Sequence, residues 1–189
     1  MRVLIAEDEA LIRMDLREML VEEGHDVVAE ARDGAEAIDL ARKHAPDIVF
    51  MDVKMPRVDG IEAARVIGEE RIAPVVMVTA FSQQTYVGQA SSAGAMAYIV
   101  KPFTKSDIVP AMTLAVSRFA EMRALEAEVE NLAGRLETRK ALDRAKGILM
   151  TKGMTESEAF KRLQKLAMDR RLTLKQVADA IVLAAEVEA

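Results

Sequence analysis

Cysteine and tryptophan are absent from these 189 residues, so neither a disulfide framework nor a thiolate metal site can form, which fits a reducing compartment. Aromatic residues make up only 4% of the chain, leaving few platforms on which bases could stack. Past Thr138 the one aromatic is Phe160, and helical spacing assigns it to an apolar face. No stretch reaches the 18 or so apolar residues of a membrane span. The opening run Met1-Arg2-Val3-Leu4-Ile5-Ala6 meets Glu7 too early for the apolar core of a signal peptide. These absences predict a soluble, cytoplasmic protein with no membrane partner. A Gly/Pro/Ser-rich linker is also missing where one would be expected, between Thr104 and Thr138.

What is present can bury a core, since 51% of the residues are apolar, enough for one domain and a smaller second one. The net charge of −5 hides a split. Residues 1–137 carry 15 Lys and Arg against 24 Asp and Glu, net −9, whereas residues 138–189 carry 11 against 7, net +4. A basic tail behind an acidic front points to an anionic partner for the tail, although basic helices are often simply solvated.

Over residues 1–117, strand and helix alternate. Val3–Ala6, Val27–Ala29, Ile48–Asp52, Val75–Val78 and Ala97–Val100 read as strands. Between them, helical spacing appears around Leu11–Leu20 with Gly24 as its stop, Ala35–His44, Ile61–Ile67 and Tyr86–Ala93. Five strands and five helices in alternation require a parallel α/β sheet covered on both faces. Polar residues stand at four strand ends: Glu7 and Asp8, then Asp52, then Thr79, then Lys101 before Pro102. In an open α/β sheet the carboxyl edge of the strands is where ligands bind. Loops are polar in general, so any one of these residues is equally explained by solvation; the ordered set is not.

That ordered set, with Met55-Pro56 and Asp59-Gly60 behind Asp52, resembles the receiver domain of two-component response regulators. The resemblance implies a flavodoxin-like, doubly wound five-stranded fold and phosphoryl transfer from a sensor histidine kinase to one aspartate. Such transfer needs an in-line nucleophile, neutralisation of the equatorial oxygens and a metal. Asp52 is the candidate nucleophile. Glu7 and Asp8 with Asp52 offer the all-oxygen set that suits one Mg²⁺. By resemblance, the backbone carbonyl of Lys54 completes the metal ligands, and Lys101 and the Thr79 hydroxyl contact phosphoryl oxygens. Tyr98 matches the aromatic that rotates when the threonine moves, its alternative being ordinary packing. Glu7 stands where many family members carry Asp. No turnover of a metabolite is expected, only self-phosphorylation and slow self-dephosphorylation.

Thr104-Lys105-Ser106-Asp107 is a capping start for a fifth helix that runs on to Thr138, with Pro110 predicting a kink or a start near Ser106. Roughly 33 helical residues would span about 50 Å. Within it Met122, Leu125, Val129, Leu132 and Leu136 form an a/d stripe, for packing within the chain or for a short coiled coil. The tail reads as three further helices. Leu142, Ala145, Ile148 and Leu149 mark one that Gly153 ends; capping boxes at Thr155–Glu158 and Thr173–Gln176 open the others. Ala159, Phe160, Leu163, Leu166 and Ala167 are assigned to one face of the second.

The run Ala145-Lys146-Gly147-Ile148-Leu149-Met150, followed by Gly153-Met154-Thr155-Glu156-Ser157-Glu158-Ala159-Phe160, Leu163, Ala167-Met168 and Val177-Ala178, resembles the ANTAR domain over roughly residues 135–187. The resemblance implies an RNA-binding, antitermination output acting on a hairpin in a leader transcript. The chain divides on this reading into a receiver at 1–117, a helical connector at 118–137 and an ANTAR-like domain at 138–189. Arg139, Lys140, Arg144, Lys146 and Lys152 are the candidate phosphate contacts, with Gly147 marking a close approach by a neighbouring helix or by nucleic acid. Lys175, on the third tail helix, is expected to lie away from that surface. Two other outputs stay open: DNA binding, with Leu172–Val182 as a recognition helix, and a protein-interaction adaptor. Homodimerisation on phosphorylation is a further expectation.

Overall fold

A computed structural model describes residues 1–80 and 95–187. Five strands, β1 (Arg2–Ala6), β2 (Asp26–Ala31), β3 (Ile48–Asp52), β4 (Val75–Thr79) and β5 (Ala97–Val100), form one sheet in the order β2-β1-β3-β4-β5. All four pairings are parallel. The described helices are α1 (Ala10–Glu22), α2 (Gly34–His44), α3 (Gly60–Glu69), α4 (Lys105–Thr151), α5 (Glu156–Arg170) and α6 (Leu174–Val187). The helix expected near Tyr86–Ala93 lies outside the described residues. The chain resolves into two compact units, Met1–Arg123 and Ala124–Ala189.

In the first unit the strand residues alternate between two cores, as the two-residue period of a strand demands. Leu4, Ala6, Val49, Met51, Val75 and Met77 bury against Ala37 and Ala41 of α2 and Ala63, Ala64 and Ile67 of α3. Their neighbours Val3, Ile5, Ile48, Phe50, Val76 and Val78 bury against Leu16 and Leu20 of α1 and Ile108, Ala111, Met112 and Ala115 of α4. With both faces covered, β3 and β4 are buried along their whole length, which is why they read as unbroken apolar runs. The strand order turns back at β1, which lies between β2 and β3. A crevice therefore opens beyond the carboxyl ends of β1 and β3, the topological switch point of such a sheet.

The second unit is held by alanines and leucines at four-residue spacing. Ala141, Ala145 and Leu149 of α4 meet Ala159, Leu163 and Ala167 of α5, and Val177 and Ala178 of α6 close the cluster. Both capping boxes form: Thr155 with Glu158 at α5, and Thr173 with Gln176 before α6. Gly153 takes a φ of +91° just after α4 ends, as its place as a stop requires.

The expected break near Thr138 is absent. One helix of 47 residues carries both the connector and the first tail helix. Thr138 donates its hydroxyl to the Gly134 carbonyl one turn back, at 2.8 Å, rather than capping a new start. The helix begins at Lys105, with Thr104 N and Oγ1 both donating to Asp107 Oδ2 at 2.8 Å, and it takes in Pro110 without ending. On α4, Leu125, Val129, Leu132 and Leu136 are all more than half exposed.

Candidate functional site

The crevice at the switch point gathers the carboxylates expected there. One oxygen from each of Glu7, Asp8 and Asp52 lies within 4.8 Å of the others. Glu7 and Asp52 are buried, at 1% and 5% exposure, while Asp8 stands at the open rim. Lys101 enters from the end of β5, its ammonium 2.7 Å from Asp52 Oδ1 and 2.6 Å from Glu7 Oε2. That Glu7 oxygen is fully buried and makes no hydrogen bond of acceptable direction, so its contact with Lys101 is ionic and it retains acceptor capacity. Asp52 Oδ2 accepts from the Lys54 backbone N–H at 2.9 Å.

Burial pushes the Glu7 carboxyl up, and the nearby Asp52 charge adds to that, against the opposing pull of Lys101. Asp52 is likewise raised by burial, with Lys101, the Lys54 N–H and Asp8 acting in smaller measure. For Lys101 burial works downward, yet its close contacts with the Asp52 and Glu7 carboxylates outweigh it and leave the ammonium raised. Two acids raised beside one retained cation describe a site short of positive charge.

Thr79 ends β4 at 3% exposure, and its carbonyl accepts from Lys101 N at 2.7 Å, which ties the two residues to one edge. Tyr98 is on β5, half-buried at 51% exposure.

Three supports escaped the sequence reading. Arg13 of α1 donates to the Glu7 carbonyl at 2.6 Å and pairs with Glu30, fixing the loop after β1. Arg57 reaches back to buried Asp33, the N-cap of α2, which joins the loop after Asp52 to the neighbouring β2–α2 turn. Gly60 packs so closely that a Cβ there would stand 1.8 Å from the Asp52 carbonyl oxygen. Only the Asp59-Gly60 pair at the start of α3 hinted at such a contact.

In the second unit the candidate cations do not form one patch. Arg139 and Lys146 line a groove with Arg135, Thr138, Phe160 and Lys175. Lys140 and Arg144 face a smaller one whose lining also includes Lys175. Lys175 is therefore not distant from these cations, because the start of α6 packs beside α4. Lys146 is drawn inward, 20% exposed, between Asp143 at 2.9 Å and Glu156 at 2.8 Å. Lys140 pairs with Glu137 at 3.0 Å, and Lys152 is exposed just past α4. Phe160 was assigned to the buried face, yet it is 38% exposed. It follows Ala159 by one residue and so turns about 100° away from the core. A Cβ on Gly147 would meet nothing within 4 Å, so no neighbouring helix among the described residues explains that glycine.

The sequence matches the family described as response regulator receiver domain over residues 3–113 and the ANTAR domain over residues 130–182. It is 64% identical over 182 residues to the transcriptional regulatory protein PdtaR of Mycobacterium tuberculosis (strain CDC 1551 / Oshkosh), covering 96% of this chain and 89% of that protein. It is 42% identical over 112 residues to the chemotaxis protein CheY of Bacillus subtilis (strain 168), covering 59% of this chain and 93% of that one. Among solved structures, the CheX–CheY–BeF3–Mg complex from Borrelia burgdorferi aligns with a TM-score of 0.56 at 29% identity, over 59% of this chain and 86% of the matched chain. With a receiver fold around an acidic crevice and a separate helical output unit, the chain belongs to the response regulator family and joins a receiver domain to an ANTAR domain.

Proposed function

We propose that a sensor histidine kinase phosphorylates Asp52 and that the phosphorylated protein binds RNA hairpins in leader transcripts, controlling transcription termination. The observation that carries this reading is the Glu7–Asp8–Asp52 cluster with Lys101 between two of its members. Its charge balance fits a hard divalent cation, because Glu7 Oε2 is buried with unused acceptor capacity. Glu7, Asp8, Asp52 and the Lys54 backbone carbonyl would hold Mg²⁺, which when bound offsets charge gathered on phosphoryl oxygens.

In the transfer, an Asp52 carboxylate oxygen forms the new O–P bond as the N–P bond to the donor imidazole breaks. Lys101 turns from its carboxylates to a phosphoryl oxygen, the Lys54 N–H holds the Asp52 carboxylate in line, and the Thr79 hydroxyl donates to a second oxygen. Withdrawal of Thr79 lets Tyr98 move from its exposed position. The protein turns over no metabolite on this reading; self-phosphorylation and slow self-dephosphorylation are its only chemistry.

The receiver is assigned to residues 1–117, the connector to 118–137 and the output domain to 138–189. Phosphorylation favours homodimers joined through the exposed Leu125–Leu136 stripe as a short coiled coil. In the output domain Arg139, Lys140, Arg144 and Lys152 contact RNA phosphates, with Gly147 permitting close approach; Lys146 stiffens the α4–α5 corner and contributes charge. The protein acts in the cytoplasm. No helix among the described residues is long and apolar enough to cross a membrane.

The test compares unmodified and acetyl phosphate-treated protein, with Mg²⁺, for retention of RNA hairpins and of duplex DNA at one stated salt concentration. Phosphorylation-dependent retention of hairpins over DNA is the expected result. Equal or better retention of duplex DNA would overturn the RNA output in favour of DNA binding.

A further inference from the structure

The groove that α4, α5 and the start of α6 enclose combines two features that neither the fold nor the ion pairs require. Its volume is about 810 Å³, within the roughly 300–1,000 Å³ of small-ligand sites. Phe160 stands in its wall with 38% of its surface exposed, while its neighbours Ala159 and Leu163 are wholly buried. Around the ring, α4 places Arg135 and Arg139, and α6 places Lys175. Arg135 and Lys175 form no ion pair among the described residues, although Lys175 borders Glu137 and Asp179 on its other side, and Arg139 meets Asp143, also in the groove wall, at 4.0 Å. Lys146, by contrast, is committed to Asp143 and Glu156 and serves as wall.

A partly exposed aromatic ring flanked by the exposed cations Arg135, Arg139 and Lys175 matches the chemistry of an unpaired nucleobase and its phosphate. The ring offers a face for stacking, and the cations hold the backbone that carries the base. An apolar helix from a partner would leave these cations desolvated without counter-charge, and an acidic peptide would leave the ring without a stacking surface. Duplex RNA fits less well, since its bases are not splayed out to reach such a wall.

We infer that this groove is a base-binding subsite, in which a splayed-out loop nucleotide of an RNA hairpin stacks on Phe160 while Arg135, Arg139 and Lys175 hold its phosphate. This rests on the RNA-binding reading above and adds to it a stacking contact that the scarcity of aromatics argued against.

The experiment uses the full chain, treated with acetyl phosphate and Mg²⁺, and a pool of RNA hairpins with one fixed stem and a randomised loop. A hairpin that the wild type enriches is titrated against wild type, Phe160→Leu, Phe160→Trp and Lys175→Ala over a range of salt. Loop positions are replaced one at a time by the fluorescent base 2-aminopurine. Phe160→Leu is expected to bind roughly 5- to 100-fold more weakly at every salt concentration, with an unchanged salt slope. Phe160→Trp keeps affinity, and one 2-aminopurine position is quenched by wild type but not by the Leu variant. Lys175→Ala lowers the salt slope by roughly 0.7–0.9.

If Phe160→Leu binds as wild type, the subsite is overturned while the RNA output stands. If Leu and Trp variants lose binding together, or the salt slope falls with Phe160→Leu, the ring acts through helix packing and the subsite is again overturned. If the wild type enriches no hairpin, the RNA reading falls and the subsite with it.

Discussion

In the sheet-bearing unit Lys101 is held between two buried carboxylates with 13% of its side chain exposed, whereas in the helical unit Arg139 keeps 83% exposed at the edge of an ion-pair contact. The first arrangement is built by the chain for itself. Strand ends bring the groups together, and burial with paired charge shifts their proton affinities before any ligand arrives. The second arrangement is a surface whose charge stays solvated until an anion covers it, so it adds little to folding and much to encounter. Glycine repeats the contrast. Gly60 is pressed against the Asp52 carbonyl, and Gly147 is pressed against nothing.

The sharpest way to break this comparison is at the crevice, where the effect is all or none. Asp52→Asn removes the nucleophilic oxygen yet keeps the shape, so treatment with acetyl phosphate and Mg²⁺ should add no phosphoryl mass to the intact protein. Excess chelator should abolish modification of the wild type as well. Mass gain in either case would mean that the acceptor lies elsewhere or that the clustered carboxylates need no cation.

Next in size is Gly60→Ala. A Cβ 1.8 Å from a backbone oxygen cannot be absorbed by a rotamer change, so the turn after β3 must move. The expected loss is about 3 kcal/mol in urea unfolding of the first unit, together with slower phosphorylation, because the same turn carries the Lys54 N–H bond to Asp52. Unchanged stability would show that the turn is plastic and that the site is not preformed in the sense argued above.

Gly147→Ala should have the opposite sign. With open space around its Cβ, alanine regains helix propensity worth about 1 kcal/mol. The second unit should melt later while its affinity for RNA hairpins falls. A variant that is more stable and binds equally well would leave Gly147 without a role in close approach.

Much of the first site could be read from sequence because it depends on where apolar runs stop. Ile48–Met51 and Val75–Val78 are unbroken, buried on both sheet faces, and the polar residue after each run must lie on the carboxyl edge. What supports the site was not readable. The Arg57–Asp33 and Arg13–Glu7 contacts join residues from different elements, and nothing in local spacing reports them. In the helical unit errors came from angle and continuity. One residue separates Ala159 from Phe160, but about 100° of helix rotation separates core from groove. The fifth helix was expected to end near Thr138, yet it runs on unbroken to Thr151. Lys146, a candidate phosphate contact by sequence, lies 2.8 Å from Glu156 across the α4–α5 turn, a pairing that spacing along α4 does not report.

The smallest expected effect on folding sharpens the comparison on the exposed stripe of α4. Val129 is 59% exposed, so Val129→Glu removes almost no burial within one chain and introduces an acid beside others already in solvent. Substitutions at such positions usually change stability by no more than about 0.5 kcal/mol, and the melting of dilute, unmodified protein should be nearly unchanged. In a coiled-coil seam the same substitution places two carboxylates face to face in an apolar contact, where both desolvation and repulsion oppose association. Sedimentation should therefore show wild-type protein gaining mass on phosphorylation, with the variant remaining a monomer. If the variant melts several degrees earlier as a monomer, the stripe packs within its own chain after all. If both proteins associate equally, phosphorylation acts through another surface and the exposed stripe has no part in assembly.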